Sequence, residues 1–523
     1  MKEELIESGV NNLGDFIEKS LTKYADKDAF SCLGQTLTFS EIDSKSKALA
    51  AWLQQEANLS QGDRIAIQLP NLSQYPIAVY AALRAGLAIV NTNPLYTPRE
   101  MQHQFKDSGA KALIILEDLL PKFDAIKADT DIETVIITGA ADLLTVAVPS
   151  VDGCIALNAA IDKGTSHTLL PRTCNNVDEV ALLQYTGGTT GVSKGASLTH
   201  RNIISNAAQT LLRFDGYCDE GEEIFVCPLP LYHIYAFTVN LVTFFGQGNM
   251  NILIPNPRDM DAFVNAIKPF KFTAFSGINT LFVGLCQQEA FKALDFSRFK
   301  LTVSGGTALT KSAADIWKQV TNCSISEGYG LSETSPVVCL NQPGNEELGT
   351  VGLPVPDTEV LLLDAEGNQV ADGEEGEVCV KGPQVMTGYW NRQDETDNVF
   401  TENGFFKTGD MGVVTKSGAI KIVDRLKDMI IVSGFNVYPN EVEEVLVGHP
   451  NIMEAAVVGE QSDKTGEAVC AYITVNQSLN VEDVINYCRE GLTAYKVPKK
   501  VVVMDELPKS TVGKILRREL RNT

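Results

Sequence analysis

At 523 residues the chain is too long for one ordinary core, so two or more domains are expected. Hydrophobic residues make up 44% and charged residues 21%, the balance of a globular protein rather than a disordered one. A formal charge of −23 argues against wholesale adhesion to nucleic acid or anionic lipid.

The N-terminal M-K-E-E-L-I-E-S is acidic and has no apolar core, so no secretory signal is expected there. Ser40-Glu41-Ile42-Asp43 opens a predicted helix with Ile42, Leu49, Trp52 and Leu53 on one face. Arg64 to Leu69 reads as a buried strand, Ser73 to Ala85 as a helix, and Leu87 to Val90 and Leu113 to Leu116 as further strands. Thr97-Pro98-Arg99-Glu100 is a capping box with proline in the first turn, so a helix starts there. Strands alternating with helices at this spacing imply parallel sheets covered on both faces. Leu231 to Phe245 is the best candidate for a membrane span, but it carries His233 and Asn240 and falls short of the roughly 20 apolar residues a span needs. It reads as a buried core segment. Around Pro354 the texture changes: Glu359 to Leu363 and Glu377 to Lys381 are short runs between glycine-rich turns, a small β-rich subdomain. After Asp428 the pattern is a compact α+β unit, with a helix from about Asn440, strands near Ala455 to Val458 and Ala468 to Val475, and a terminal helix after Gly513. Lys496 to Arg521 holds eight basic residues against three acids, which suits either a solvated helix face or an element that meets phosphates. The eleven cysteines are scattered with no C-x-x-C pair and the five histidines are dispersed, so neither a structural zinc site nor a disulfide framework is expected.

Three glycine-bearing segments carry the chemistry. Tyr185-Thr186-Gly187-Gly188-Thr189-Thr190-Gly191-Val192-Ser193-Lys194-Gly195 follows the apolar run Val180 to Leu183, so a strand feeds a loop of glycines and hydroxyls. Glycines let the backbone approach phosphate oxygens, successive N–H groups form an anion-binding nest, and Lys194 adds charge. The spacing is not that of a Walker A loop. Ser304-Gly305-Gly306-Thr307-Ala308-Leu309 also follows an apolar run and reads equally as a tight strand-to-helix turn. In Glu327-Gly328-Tyr329-Gly330-Leu331-Ser332-Glu333-Thr334 an aromatic ring able to stack on a base precedes a carboxylate able to hold Mg²⁺. Taken alone, Glu333 reads as a surface acid. Asn403 to Asp410 places an acid after a glycine turn, within reach of a ribose diol. Asp424-Arg425-Leu426-Lys427-Asp428 is a charged cluster at the texture boundary, and Pro508 to Lys514 precedes the terminal helix.

In this order, these segments resemble the adenylate-forming superfamily of acyl-CoA synthetases, luciferases and peptide-synthetase adenylation domains, over essentially the whole chain. Asn93 to Glu100 (N-P-L-Y-T-P-R-E), Pro228 to Ile234 (P-L-P-L-Y-H-I) and the run from Asn403 into I-I-V-S-G-F-N-V-Y-P-N-E resemble bacterial long-chain fatty-acid–CoA ligases most closely. Phe405 stands where that group often has tryptophan, an aromatic-for-aromatic departure that bears on chain-length preference.

The resemblance implies an α/β multidomain chain. Residues 1–423 would form a large N-terminal adenylation domain of two α/β subdomains plus the small β-rich one; 424–428 would be a hinge and 429–523 a small mobile α+β domain. It assigns ATP to Thr186, Gly187, Gly188, Thr189, Thr190, Gly191 and Lys194, to Gly305, Gly306, Thr307, Ala308 and Leu309, and to Tyr329, Gly330 and Ser332. Asp410 and Arg425 would take the ribose. Thr186 and Glu333 would take Mg²⁺, and Lys514 would bridge carboxylate and α-phosphate, so Lys514, Glu333 and Lys194 are the implied catalytic set. Lys427 matches the hinge position, Ser433 and Gly434 the coenzyme A tunnel, and His233 and Phe237 the acyl site. ATP and coenzyme A are the implied co-substrates and a fatty acid the substrate, with no nucleic acid partner and a cytoplasmic location. The sequence leaves open a peripheral contact with the inner membrane face, a homodimer, and two other outcomes on this fold: a fatty-acyl-AMP ligase serving a carrier protein, and a non-catalytic acyl-nucleotide sensor.

Overall fold

The strand–helix alternation of the first third builds one sheet and the middle third completes another. The computed structural model of the chain describes residues 10–144, 151–172, 176–186, 193–462, 464–510 and 513–521. Within them, a seven-stranded sheet runs in the order Ile155–Ala156, Thr134–Thr138, Ala110–Leu116, Arg64–Gln68, Ala88–Asn91, Val180–Thr186, Lys194–Thr199. Every pair is parallel except the last. A nine-stranded sheet has the parallel centre Ile325–Gly330, Leu301–Ser304, Ala274–Gly277, Ile224–Cys227, Met250–Leu253, Asp28–Cys32, with antiparallel strands at both ends. The buried strands are near-continuous apolar runs, as parallel sheets covered on both faces require.

Helix starts follow their caps. Thr97 accepts from the Glu100 N–H while Glu100 returns a bond to the Thr97 N–H, as the sequence anticipates. The first long helix begins one residue earlier than expected: Thr38 is extended and caps it, Glu41 closes the box, and buried Phe39 is its first residue. Each such cap is worth about 1 kcal/mol. The run 231–245 is buried, with a π-helical stretch at Phe237–Phe244, and among the described residues no helix is long and apolar enough to cross a membrane.

The glycine-rich third gives an antiparallel four-stranded sheet, Glu359–Leu363, Glu375–Lys381, Phe406–Val414 and Ile420–Arg425. After the turn at 426–428 a second fold unit begins. It has its own sheet around the long hairpin Ile452–Ser462 and Gly466–Val475, and its own apolar cluster, including Val442, Leu446, Val457, Ile473 and Val484. The terminal helix is a correction: it spans only Arg517–Leu520. Upstream, Lys509 and Ile515 pair across a β-bridge, so the chain through Lys514 is a tight hairpin rather than a helical turn.

Candidate active site

Ligands of open α/β sheets bind beyond the carboxyl ends of the strands, and the predicted loops emerge there. Thr186 ends Val180–Thr186 and lies directly across from Lys194, its partner on the antiparallel strand Lys194–Thr199. Gly187, Gly188, Thr189, Thr190 and Gly191 lie outside the described residues. The strand pair is held from the helix Pro98–Ser108: a His103 ring N–H donates to the Ser193 carbonyl at 2.8 Å, and the Tyr185 hydroxyl donates to Asp107 at 2.7 Å. Asp107 also takes Arg392 at 2.7 Å. The Lys194 ammonium pairs with Glu395 and lies 5.1 Å from the centre of the Tyr389 ring.

Glu333 corrects the surface reading. It sits on the short 3₁₀ turn Ser332–Thr334, is 8% exposed, and accepts from the Tyr389 hydroxyl at 2.9 Å. Burial pushes its pKa up, while the Tyr389 bond and the Arg425 charge oppose that rise. Upstream, Gly330 pairs with Val337, and a Cβ there would collide with the Pro336 carbonyl, so no other residue fits this bend.

Asp410 and Arg425 are cross-strand partners with Nε and Oδ1 3.3 Å apart, and the Tyr329 hydroxyl donates to Asp410 Oδ2 at 2.6 Å. The aromatic and the acid, 81 positions apart, thus form one unit. Gly305 to Leu309 follow the strand Leu301–Ser304; the Leu309 N–H donates to Glu327 at 2.9 Å and the ring of Tyr235 packs against Gly305. The Thr307 hydroxyl is buried with no hydrogen-bond partner among the described residues, as a group reserved for a ligand would be. Burial pushes the Glu327 carboxyl up to about 7.

Lys514 reaches this edge from the C-terminal hairpin. Ser510 holds it twice, donating its N–H to the Lys514 carbonyl at 2.7 Å and accepting the Lys514 N–H on its hydroxyl at 3.1 Å. Gly513 has φ +76°, and a Cβ there would strike Ile278, which follows the strand Ala274–Gly277. The hairpin therefore docks on the ligand edge of the large sheet. Burial lowers the Lys514 pKa to about 8; nearby Arg425, Arg517 and Lys427 push the same way and Asp410 resists. Lys427, in the turn after Ile420–Arg425, is likewise lowered to about 8 by burial and Arg425. Most of the basic tail meets acids of its own unit, Lys496 with Glu441, Lys509 with Glu454 and Arg517 with Glu443, while Arg517 also reaches Asp424 on the strand Ile420–Arg425. Lys514 forms no ion pair among the described residues.

His233 caps the short helix Ile234–Ala236, its Nδ1 accepting from the Tyr235 N–H at 3.3 Å. Burial, then the Lys514 charge, hold it down at about 4, so it is neutral. Phe237 donates its N–H to the His233 carbonyl and is completely buried. Ser433 and Gly434 form the exposed tip of the hairpin Ile430–Val432 and Phe435–Val437, where the Ser433 N–H donates to the Thr465 carbonyl of the same unit. Phe405 is buried, with the Lys381 ammonium 5.5 Å from its ring centre.

Sequence reasoning missed Tyr389, Glu395, His103, Asp107 and Glu327. The one signal available was the aromatic pair of Gly388-Tyr389-Trp390 ahead of a charged run. No group of three or more His, Cys, Asp or Glu among the described residues could cage a metal. Mg²⁺ bound with a nucleotide needs no cage, because it keeps waters and rides on the phosphates, and one buried carboxylate, Glu333, on a turn next to the strand that ends at Thr186 suits it.

An adenylate-forming enzyme is the class this architecture defines: two α/β sheets and a small antiparallel sheet lead into a separate small unit that brings Lys514 to the edge of the nine-stranded sheet. The chain belongs to the AMP-binding enzyme family, whose pattern matches residues 17–390, and the AMP-binding enzyme C-terminal domain matches 441–514. It is 44% identical to the long-chain-fatty-acid–CoA ligase of Escherichia coli O6:H1, aligning 98% of this chain with 94% of that protein. To the long-chain-fatty-acid–CoA ligase of Bacillus subtilis (strain 168) it is 37% identical, over 97% of this chain and 94% of that one. The anthranilate CoA ligase AuaEII, crystallised with anthranoyl-AMP, superimposes with a TM-score of 0.89 at 25% identity, covering 98% and 96% of the two chains. ATP-bound MatB from Rhodopseudomonas palustris gives 0.86 at 26%, covering 98% of each chain.

Proposed function

We propose that this chain is an AMP-forming long-chain fatty acid–CoA ligase: it joins a fatty acid to ATP as acyl-adenylate with release of pyrophosphate, then passes the acyl group to coenzyme A with release of AMP. The observation that carries this reading is 44% identity along 98% of the chain to a ligase of that name, together with a half-buried lysine, Lys514, near Asp410 and Arg425.

Attack of a carboxylate on ATP brings two anions together, so the protein must screen charge rather than supply a nucleophile. Lys514 would bridge the attacking carboxylate and the α-phosphate, and Lys194, with the loop it closes, would hold the outgoing phosphates. Asp410, steadied by Tyr329 and Arg425, would accept from the ribose hydroxyls. Gly305 to Leu309, with the free Thr307 hydroxyl, would line the adenine. Mg²⁺, met by Glu333 and the Thr186 hydroxyl, would neutralise phosphate charge when bound. His233, neutral, would form the wall between the acyl chain and the reacting carboxylate without adding a second cation beside Lys514.

The thiol needs the same space that Lys514 fills. The turn at 426–428 separates the units, so rotation about Lys427 would withdraw Lys514 and bring the exposed tip at Ser433 and Gly434 to the adenylate. On this reading 1–423 is the adenylation domain, 424–428 the hinge and 429–523 the mobile domain. The test is two assays on one preparation: pyrophosphate exchange dependent on a fatty acid, and AMP release dependent on coenzyme A. Exchange without any coenzyme A-dependent product would make the chain an acyl-AMP ligase instead, and no exchange with any acid would make it a sensor.

A further inference from the structure

Tyr389 lies outside every motif the nucleotide reading uses, yet it touches two of that reading's charged groups. Its hydroxyl donates to Glu333 at 2.9 Å, and the Lys194 ammonium lies 5.1 Å from its ring centre. The backbone fixes the ring from several directions. The Tyr389 N–H donates to the Thr396 hydroxyl at 2.9 Å. Around it, residues 387–390 lie along Lys194–Thr199 as an added edge: Thr387 N–H to Ser197 carbonyl at 3.2 Å, Ser197 N–H to Gly388 carbonyl at 2.9 Å, Trp390 N–H to Gly195 carbonyl at 2.8 Å. One residue before this edge, the Met386 N–H donates to the Glu333 carbonyl at 2.7 Å. One short segment therefore grips both the strand leaving the phosphate loop and the turn that carries Glu333.

A carboxylate swivels about its last torsion, and a lysine swings on a four-carbon stem. Both lose that freedom against a fixed phenol. The hydroxyl takes one carboxylate oxygen and so aims the other, while the ring face offers the ammonium a landing surface through its quadrupole. We infer that Tyr389 is a positioning residue, which sets the Glu333 carboxylate and the Lys194 ammonium in register across the phosphate site. The inference rests on the reading of Glu333 and Lys194 given above. It adds that their mutual geometry is set by a side chain that meets neither substrate nor metal.

The test separates the two contacts. Tyr389→Phe keeps the ring and loses the hydroxyl; Tyr389→Leu loses both; Glu333→Gln is the reference. Binding of Mn²⁺ to the full-length protein with a non-hydrolysable ATP analogue is read by the spin-resonance signal of the free ion, and ATP KM and kcat are read in pyrophosphate exchange. Tyr389→Phe should weaken Mn²⁺ binding about 5- to 20-fold and change the metal-free affinity for the analogue less than about twofold, because only the carboxylate is released. Tyr389→Leu should in addition raise ATP KM about 5- to 10-fold, because Lys194 loses its seat. If Tyr389→Phe binds Mn²⁺ as the unaltered protein does while Glu333→Gln does not, the positioning role is overturned and the reading of Glu333 stands. If Glu333→Gln also binds Mn²⁺ normally, that reading falls and this inference with it. The phenylalanine variant carries the decision should the leucine variant fail to fold.

Discussion

Replacing Lys514 with alanine removes one positive charge at the point where a carboxylate would meet the α-phosphate. The side chain is half-buried, and its ammonium feels the charges of Arg425, Arg517 and Lys427, with Asp410 opposing them. A charge pair about 4 Å apart at an effective dielectric near 20 is worth about 4 kcal/mol, so adenylation should slow by about 10³-fold. Thioester formation from supplied acyl-adenylate should change less than about threefold, because the two anions have already been joined. The same geometry fixes a pH dependence. With its pKa lowered to about 8, Lys514 is mostly charged at pH 7 and mostly neutral at pH 9, so adenylation should fall as pH rises through about 8. Lys514→Arg, which stays charged, should remove that limb even where its longer fork costs rate. The assay is pyrophosphate exchange against pH, run beside thioester formation from acyl-adenylate. Equal losses in both half-reactions, or an unchanged alkaline limb in the arginine variant, would contradict the reasoning.

Three further outcomes follow from the same coordinates. Lys427→Pro should impair thioester formation far more than adenylation, since proline fixes φ in the turn between the two units, whereas Lys427→Ala should leave both within a few-fold; separate half-reaction rates decide it, and loss confined to adenylation would remove the hinge assignment. Phe237→Ala should alter the chain-length profile and fatty-acid KM more than ATP KM; because the ring is completely buried, a uniform drop with a lowered melting temperature would mean ordinary packing instead. His200 and His233 are both held down to about 4 by burial, from an ordinary 6.5, so each stays neutral in the fold while the unfolded chain takes up a proton. Stability is therefore lost as pH falls from about 6.5 toward 4, with about 2 kcal/mol per histidine gone between pH 7 and 5. Glu327, raised to about 7, runs the other way and partly offsets this. His200→Gln should flatten the slope in urea unfolding at the two pH values, and an unchanged slope would count against the assignment.

The local signals translated well because each was enforced by neighbours a few residues away: the Thr97 box and the buried parallel strands. What escaped the sequence was set by distant partners. Glu333 read as a surface acid because nothing near it announces Tyr389, 56 positions on, or Met386, whose N–H clamps its carbonyl. The tail read as a basic helix because the acids that neutralise it, Glu441, Glu443 and Glu454, lie more than fifty positions upstream. Its last helix is short because the Lys509–Ile515 bridge and left-handed Gly513 take the chain through a hairpin first, and that hairpin carries Lys514 to the large sheet. The strand returning from the phosphate loop was missed for another reason. Gly195 and the hydroxyl residues Ser197 and Thr199 continue the composition of the glycine- and hydroxyl-rich segment before them, so the sequence does not mark where the buried strand Lys194–Thr199 begins.

The central claim is that one site makes an acyl-adenylate from a long-chain acid and hands it to coenzyme A. The direct measurement is product stoichiometry across a panel of acids from six to eighteen carbons, with AMP, pyrophosphate and acyl-CoA quantified in the same reaction. The account predicts one AMP and one pyrophosphate per acyl-CoA, highest kcat/KM among the long acids, and AMP release that stops when coenzyme A is withheld. Adenylate released without thioester, or a preference for the shortest acids, would contradict it.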